Sequence, residues 1–474
     1  MLTALAARRW WHPPAIAVIG AAVGIAGGIA LVAASPPVLF GVLGGLAVLA
    51  AMLRSPQIAL LVFVAVVSLL PFGVIPLQLG AQLTLLDATL TLTLLVTLFG
   101  LLRQRLHLVA SPLNGLLAIF IGLACVSFTL GTSFAFSAEL VRYFLKLANS
   151  LLFYFTVVNV VRTRPQLEQL VQALLLAGGL AAAIALVIYA LPRNTAIQVL
   201  SALRPLGYPS GPEVLRTIPG TETLRAIGTS IDPNLLGGLL MMSAALTVGQ
   251  TLAPRPVLPR VLLVVLLAVQ VVGLVLTYSR AAWVGLAVAV LYLGTFRYRR
   301  AWVVAGLAGL ALVFLPQGQV VLTRFLEAFG SRDPATALRL VEYHTAIELI
   351  RQYPWFGVGF GTGPNVELFL GVSSLYLLIA EEMGLTGLAV FLVMMAVLFG
   401  HGLRGLAVLR TPRAHGLALT LQACLAAGLT AGIFDHYFFR FPHSLALFWF
   451  YAALLWLAVA LPEEAPSARG DDQR

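Results

Sequence analysis

The chain has 474 residues, of which 60% are hydrophobic and only 10% charged, with a mean hydropathy of +0.98. A water-soluble domain cannot hide that much apolar surface, so the composition excludes one and points to a polytopic membrane protein. The formal net charge of +11 would suit nucleic acid, but the basic residues fall singly or in twos and threes between apolar runs. That is the pattern of short cytoplasmic loops, and no nucleic acid partner is expected. Cys125 and Cys424 both sit inside apolar runs, which gives neither a disulfide framework nor a metal site.

Apolar runs of spanning length lie at about 15–34, 38–53, 58–72, 85–103, 113–131, 139–161 and 168–191. A second series lies at about 233–252, 260–278, 282–296, 301–316, 373–399, 414–434 and 443–461. They predict an all-α polytopic membrane protein with about 12–14 transmembrane helices. The first run follows Arg8-Arg9 and reads as a retained span, not a signal peptide. With the N-terminus inside, Arg54, Arg103/Arg105, Arg162/Arg164, Arg255/Arg260, Arg297/Arg299/Arg300 and Arg404/Arg410/Arg413 all fall in cytoplasmic connections. Residues 1–461 then form one transmembrane domain, and the polar tail 462–474 is expected to be disordered and cytoplasmic.

On the other side two long connections, about 192–233 and 317–372, are predicted to cap the bundle; only the second has clear helical periodicity. Arginines there run against the positive-inside rule: Arg216, Arg225, Arg280, Arg339 and Arg351. Arg142 and Lys146 lie inside the sixth span, where ionisable groups face a cavity or a partner. Arginine grips phosphate through a planar two-pronged fork, so a diphosphate is a natural guest. The structural alternative is snorkelling, or pairing with Asp232, Glu342 or Glu348.

Within 225–234, Asp232 can cap the eighth span, with Pro233 in its first turn and Asn234 adding a polar group. In the cap helix, about 335–352, Arg339, Glu342, Tyr343 and Ala346 share one face, and His344, Glu348 and Arg351 another. The glycine run Gly357, Gly359, Gly361 lacks the strand, helix and lysine of a nucleotide loop. It reads as a tight turn that brings backbone close to a site. Glu381 and Glu382 lie a few turns into the twelfth span, one of them facing the bundle. Asp435-His436 and His443 sit at the outer ends of the last two spans, and a lone histidine there reads as structural.

These residues, in this order, resemble the O-antigen ligase and polymerase superfamily of bacterial membrane glycosyltransferases. The resemblance rests on Asp87, on Gly228-Thr-Ser-Ile-Asp-Pro-Asn234, on Ser279-Arg280-Ala-Ala-Trp-Val-Gly and on Arg339. It continues through Pro354-Trp-Phe-Gly-Val-Gly-Phe-Gly361 and Ser374-Leu-Tyr-Leu to Glu381-Glu-Met-Gly-Leu-Thr-Gly387. It implies a GT-C-like helical fold in the bacterial plasma (inner) membrane, with both termini cytoplasmic and the active site on the outer face under a periplasmic or extracellular cap. It also implies transfer of a glycan from a polyprenyl diphosphate to an acceptor hydroxyl, with no cofactor, metal or nucleotide sugar.

By similarity, Arg225 and Arg280 match the diphosphate-binding arginines, with Arg216 beside them. The expected catalytic set is Arg280, Arg339, Glu342 and His344. Gly357, Gly359, Gly361, Ser374, Tyr376 and Glu381 are expected to form the acceptor and cap loop. The family's ligases carry a His-Asn pair where this chain has Ser373-Ser374, and that histidine is their candidate base. Its loss favours a polymerase of lipid-linked repeats over a ligase, with His344 or Glu342 as substitute base. The implied partners are the lipid-linked donor, a glycan or lipid acceptor, the bilayer, a flippase and a chain-length regulator. A transporter of a small anion or of a lipid-linked glycan is the reading from another class. Against it stand the absence of an inverted repeat and the gathering of polar groups in one outer cap.

Overall fold

The computed structural model describes residues 36–75, 83–131, 136–218, 221–303, 305–306, 334–360 and 372–463. The chain divides into two compact units, Met1–Ser55 and Pro56–Arg474. The first holds one described helix, α1 (Pro36–Arg54), whose only charged residue is its last.

The second unit begins with α2 (Pro56–Leu69), α3 (Leu85–Leu102), α4 (Pro112–Gly131), α5 (Ala138–Val160) and α6 (Arg164–Ala190). The short α7 (Arg193–Ser201) and a two-residue ladder, β1 (Arg216–Thr217) with β2 (Leu224–Arg225), lie in the first long connection. The sequence gives α7 little apolar periodicity, which is why this connection read as irregular. Then come α8 (Pro233–Leu252), α9 (Arg260–Leu276), α10 (Arg280–Phe296), the cap helix α11 (Pro334–Gln352), α12 (Leu375–Val408), α13 (Pro412–Ala431), α14 (Tyr437–Arg440) and α15 (Pro442–Ala460). Among the described residues eight helices are long and apolar enough to cross a membrane, and four shorter apolar ones accompany them. The protein is an all-α polytopic membrane protein. The expected span at 15–34, most of that at 301–316 and the tail from 464 fall outside the described residues.

Burial separates the centre of the bundle from its lipid-facing rim. In α8 and α15, 89% of the spanning stretch is buried, against 28% in α4. Lipid is as apolar as leucine, so close packing and polar contacts hold such helices together. Small residues let them approach: a Cβ added at Gly249 of α8 would come within 2.3 Å of Thr420 of α13, and one at Gly285 of α10 within 2.8 Å of the Ala427 carbonyl. A buried clamp ties α8 to α9, with Gln270 donating to Ser243 Oγ (2.9 Å) and Thr247 donating to Gln270 Oε1 (2.7 Å).

The arginine-rich connections meet at one end of this unit. Arg164 donates to the carbonyls of Ala458, Leu461 and Pro462, Arg413 pairs with Glu168 (2.6 Å), and Arg260 donates to Ala253 and Pro254. The sequence motifs collect at the opposite end.

There α12 is broken. Gly384 (φ 71°, ψ −179°) interrupts the helix directly after Glu381 and Glu382, and the glycine loop fills the gap. Val358 N–H donates to the Glu381 carbonyl (2.8 Å), Gly359 N–H to the Glu382 carbonyl (3.0 Å), and Leu385 N–H to the Pro354 carbonyl (2.7 Å). Irregular backbone among apolar helices is tolerated only where protein satisfies its polar groups, and this loop does so. A Cβ at Gly384 would meet the Trp355 carbonyl at 2.2 Å, and its φ/ψ is a region open essentially to glycine alone. Gly384→Ala is expected to cost at least about 2 kcal/mol and to lower the thermal midpoint, whereas Gly400→Ala, with nothing within 4 Å, should not. Equal melting of the two variants would rule the splice out.

Candidate functional site

The site begins with the segment leading into α8. Ala226 N–H donates to the Leu276 carbonyl (2.8 Å), docking β2 against the end of α9. That contact sets Arg225 beside the α9–α10 turn, where its Nε donates to the Thr277 carbonyl (2.8 Å) and its Nη2 to Asn234 Oδ1 (2.8 Å). Asp232 caps α8, accepting from the N–H groups of Asn234 (2.7 Å) and Leu235 (3.2 Å). Capping thus accounts for Asp232, and holding Arg225 accounts for Asn234. Arg280 opens α10 three residues after Thr277. Two side-chain-bearing residues hold left-handed backbone here, Ile231 (φ 61°) and Tyr278 (φ 52°), an uncommon geometry for branched or bulky residues. They turn the chain into α8 and α10, beside Arg225 and Arg280. Across the ladder Arg216 stands directly opposite Arg225, so both side chains leave the same face.

The cap helix presents the face its spacing predicts. Arg339 lies 3.8 Å from Asp435, Glu342 accepts from Ser373 N–H (3.0 Å), and Tyr343 donates to the Ser373 carbonyl (3.0 Å). Ala346 is buried on that face. His344 is on the other side, 77% exposed and 3.4 Å from Glu348. Ser374 precedes α12 and is buried, while the Tyr376 hydroxyl donates to the Leu429 carbonyl (2.8 Å). Gly357 and Gly359 belong to the spliced loop, Glu381 lends it a carbonyl, and Gly361 lies outside the described residues.

Leu375 N–H donates to the Gly432 carbonyl (2.7 Å), which draws the Asp435-His436 turn towards the Ser373-Ser374 position. Burial pushes the Asp435 carboxyl up to about 6, although Arg339 and, more weakly, Arg225 favour its ionised form. Burial, and then the Arg440 guanidinium, lowers His436 to about 4, so its imidazole is neutral at neutral pH. His436 Nδ1 is buried without a hydrogen-bond partner among the described residues, 4.0 Å from Asp435 Oδ1.

Beyond His436 opens a cavity of about 670 Å³, lined among others by Asp87, Arg142, Tyr143, Lys146 and Arg440. Arg440 pairs with Glu382 (3.1 Å) and lies over the Tyr143 ring, while Lys146 pairs with Asp87 (2.7 Å). Arg225, Arg280 and Arg339 are not among the residues lining this cavity, and Arg339 meets the turn through Asp435. Among the described residues no three His, Cys, Asp or Glu side chains are grouped to hold a metal ion.

The sequence reading passes over Arg440 and gives His436 to structure. Like Arg225, Arg440 is a cation at the end of the bundle opposite the arginine-rich connections. For His436 the only local signal is the adjacent Asp435.

Residues 262–392 match the sequence model of a family described as O-antigen ligase. The matched stretch takes in Arg280, the cap helix, the glycine loop and Glu381-Glu382, and leaves Arg216, Arg225 and the Asp435-His436 turn outside it. No curated protein matches the chain. The family match supports the O-antigen ligase and polymerase superfamily, and with it an O-antigen ligase-type membrane enzyme.

Proposed function

We propose that this chain is a GT-C-like glycosyltransferase of the bacterial plasma membrane, polymerising polyprenyl-diphosphate-linked oligosaccharide repeats of a surface polysaccharide on the outer face. The observation that carries the reading is the convergence of Arg216, Arg225, Arg280 and Arg339 at the end of the bundle away from the basic connections. Like charges directly opposite on a strand pair repel, and a diphosphate between Arg216 and Arg225 would relieve that repulsion. In this reading Arg225 and Arg280 hold the leaving diphosphate and stabilise its growing charge. The acceptor hydroxyl attacks the anomeric carbon, the bond from that carbon to the diphosphate oxygen breaks, and the diphosphate leaves with the electron pair. The hydroxyl proton passes to His436, whose neutral imidazole takes the part that the missing ligase histidine would play.

Ser373-Ser374 in place of His-Asn supports polymerase. A ligase passing the finished glycan to a lipid or protein is the second reading, favoured by the description of the matched family. The test is incubation of purified protein with a polyprenyl-diphosphate-linked oligosaccharide, read as product length on a gel. A ladder growing by whole repeats is expected. Transfer to an added acceptor without a ladder would make it a ligase, and no turnover with several such donors would move the reading to transport.

A further inference from the structure

A separate cavity, of about 510 Å³, opens at the basic end of the bundle, where α9 begins and α10 ends. Arg260, Arg297, Arg299 and Arg300 line it together with Tyr298, and among the described residues no Asp or Glu does. Other arginines of this end are engaged: Arg164 holds three carbonyls, and Arg413 pairs with Glu168. Arg260 is likewise turned onto the Ala253 and Pro254 carbonyls. The side chains of Arg297, Arg299 and Arg300, in contrast, make no hydrogen bond or ion pair among the described residues. Their backbone is nevertheless fixed. Tyr298 N–H donates to the Leu293 carbonyl (2.8 Å), and Ala301 N–H donates to the Tyr298 carbonyl (2.7 Å). A Cβ added at Gly416 of α13 would come within 3.0 Å of the Tyr298 hydroxyl, so the ring is seated against that helix. The positive-inside rule places cations at such an end, and the dipole at the end of α10 favours one of them. Neither gathers four guanidinium groups around one cavity with no carboxylate in its wall, where they repel one another.

We infer that this cavity holds the headgroup of an anionic phospholipid from the surrounding leaflet, its phosphate gripped by the planar forks of the arginines. The inference does not rest on the glycosyltransferase reading. The surface beside the cavity is what favours a lipid over a soluble phosphate. α9 packs on α6 and α8, and α10 on α13 and α8, but α9 and α10 hardly touch each other. From Arg260, α9 runs into a stripe of exposed valines, Val261, Val264, Val265 and Val272, and α10 reaches Arg297 past exposed Leu291 and Phe296. Acyl chains can lie along this apolar surface, which a soluble anion would leave unused. Trp302, also exposed, follows the arginines, and tryptophan and tyrosine gather where membrane meets water. Basic pockets between spanning helices suit anionic headgroups.

The test uses the full chain, purified in an uncharged detergent and titrated with dioctanoyl phosphatidylglycerol, dioctanoyl phosphatidylcholine or inorganic phosphate. Bound lipid is counted by native mass spectrometry, and thermal melting is followed in parallel. Phosphatidylglycerol is expected to bind and to raise the melting midpoint. Phosphatidylcholine, whose choline cation the arginines repel, and inorganic phosphate should do neither. Phosphatidylglycerol should bind about fivefold more weakly after Arg299→Gln, and about thirtyfold after Arg299→Gln combined with Arg300→Gln. Both positions are exposed, so melting without lipid should not change. Arg255→Gln removes an exposed arginine of the same end that does not line the cavity, and it should leave binding as it was. Equal binding of the two lipids by the unmodified protein, or no binding of phosphatidylglycerol, would overturn the inference. So would undiminished binding in the Arg299 and Arg300 variants, or equal weakening in Arg255→Gln, because diffuse charge would then hold the lipid. A melting shift from inorganic phosphate as large as that from phosphatidylglycerol would make the cavity a soluble-anion site and remove the lipid from it.

Discussion

Arg280→Lys is expected to lower turnover of a lipid-linked donor by about a hundredfold or more, with expression and thermal melting unchanged. The reason lies in where Arg280 sits. It is the first residue of α10, at the end of a helix dipole where a cation is disfavoured and an anion welcome. In the diphosphate reading the leaving group is the anion that the helix dipole and the guanidinium meet together. Lysine preserves the charge but not the planar fork that meets two phosphate oxygens at once. Lysine also needs no more room than arginine, so the half-buried site should accept it. Donor binding should weaken less than turnover falls, since the fork matters most as charge grows on the leaving diphosphate. Arg225 ties β2 to Thr277 and α8 through hydrogen bonds, so Arg225→Lys is expected to loosen both as well as weaken donor turnover. Full activity in Arg280→Lys would sink the diphosphate assignment.

The parts of the molecule that follow from local pattern were legible in the sequence. Apolar runs gave the spans, and the three- and four-residue spacing of Arg339, Glu342, Tyr343 and Ala346 gave the buried face of the cap helix. The positive-inside rule picked out Arg225 and Arg280, which the structure brings to one turn. What stayed hidden was made by contacts distant in sequence. Residues 373–399 read as one uninterrupted span, because glycine is common in membrane helices and nothing local marks Gly384 as a break. The break is stabilised by backbone donors from Val358 and Gly359, some 25 residues earlier. Glu381 and Glu382 could be narrowed only to one facing the bundle. The structure gives that place to Glu382, buried against Arg440, a residue almost sixty positions away. His436 read as structural for the same reason: its place near Ser373-Ser374 depends on the Leu375–Gly432 hydrogen bond, which no periodicity announces.

His436→Gln carries the other large expectation, a loss of between about 10² and 10⁴ in turnover, the usual contribution of a positioned base. With its ordinary value lowered to about 4 by burial and by Arg440, His436 is already neutral over the physiological range and ready to accept a proton. The acid side of the pH profile should therefore belong to Asp435. Its carboxyl, raised to about 6, is ionised above that pH and holds Arg339; below it the carboxyl is protonated and the pair is lost. The ratio kcat/KM is expected to rise as pH climbs through about 6 and then to level off. Asp435→Asn should move the acid limb down towards pH 4, the value to which His436 is lowered, whereas His436→Gln should keep the limb near 6 at a much lower plateau. His344→Gln, on the exposed side of the cap helix, should stay fully active. The opposite pair of results, a dead His344→Gln and an active His436→Gln, would return the base to the cap helix and leave the Asp435-His436 turn a structural hinge between the arginines and the cavity.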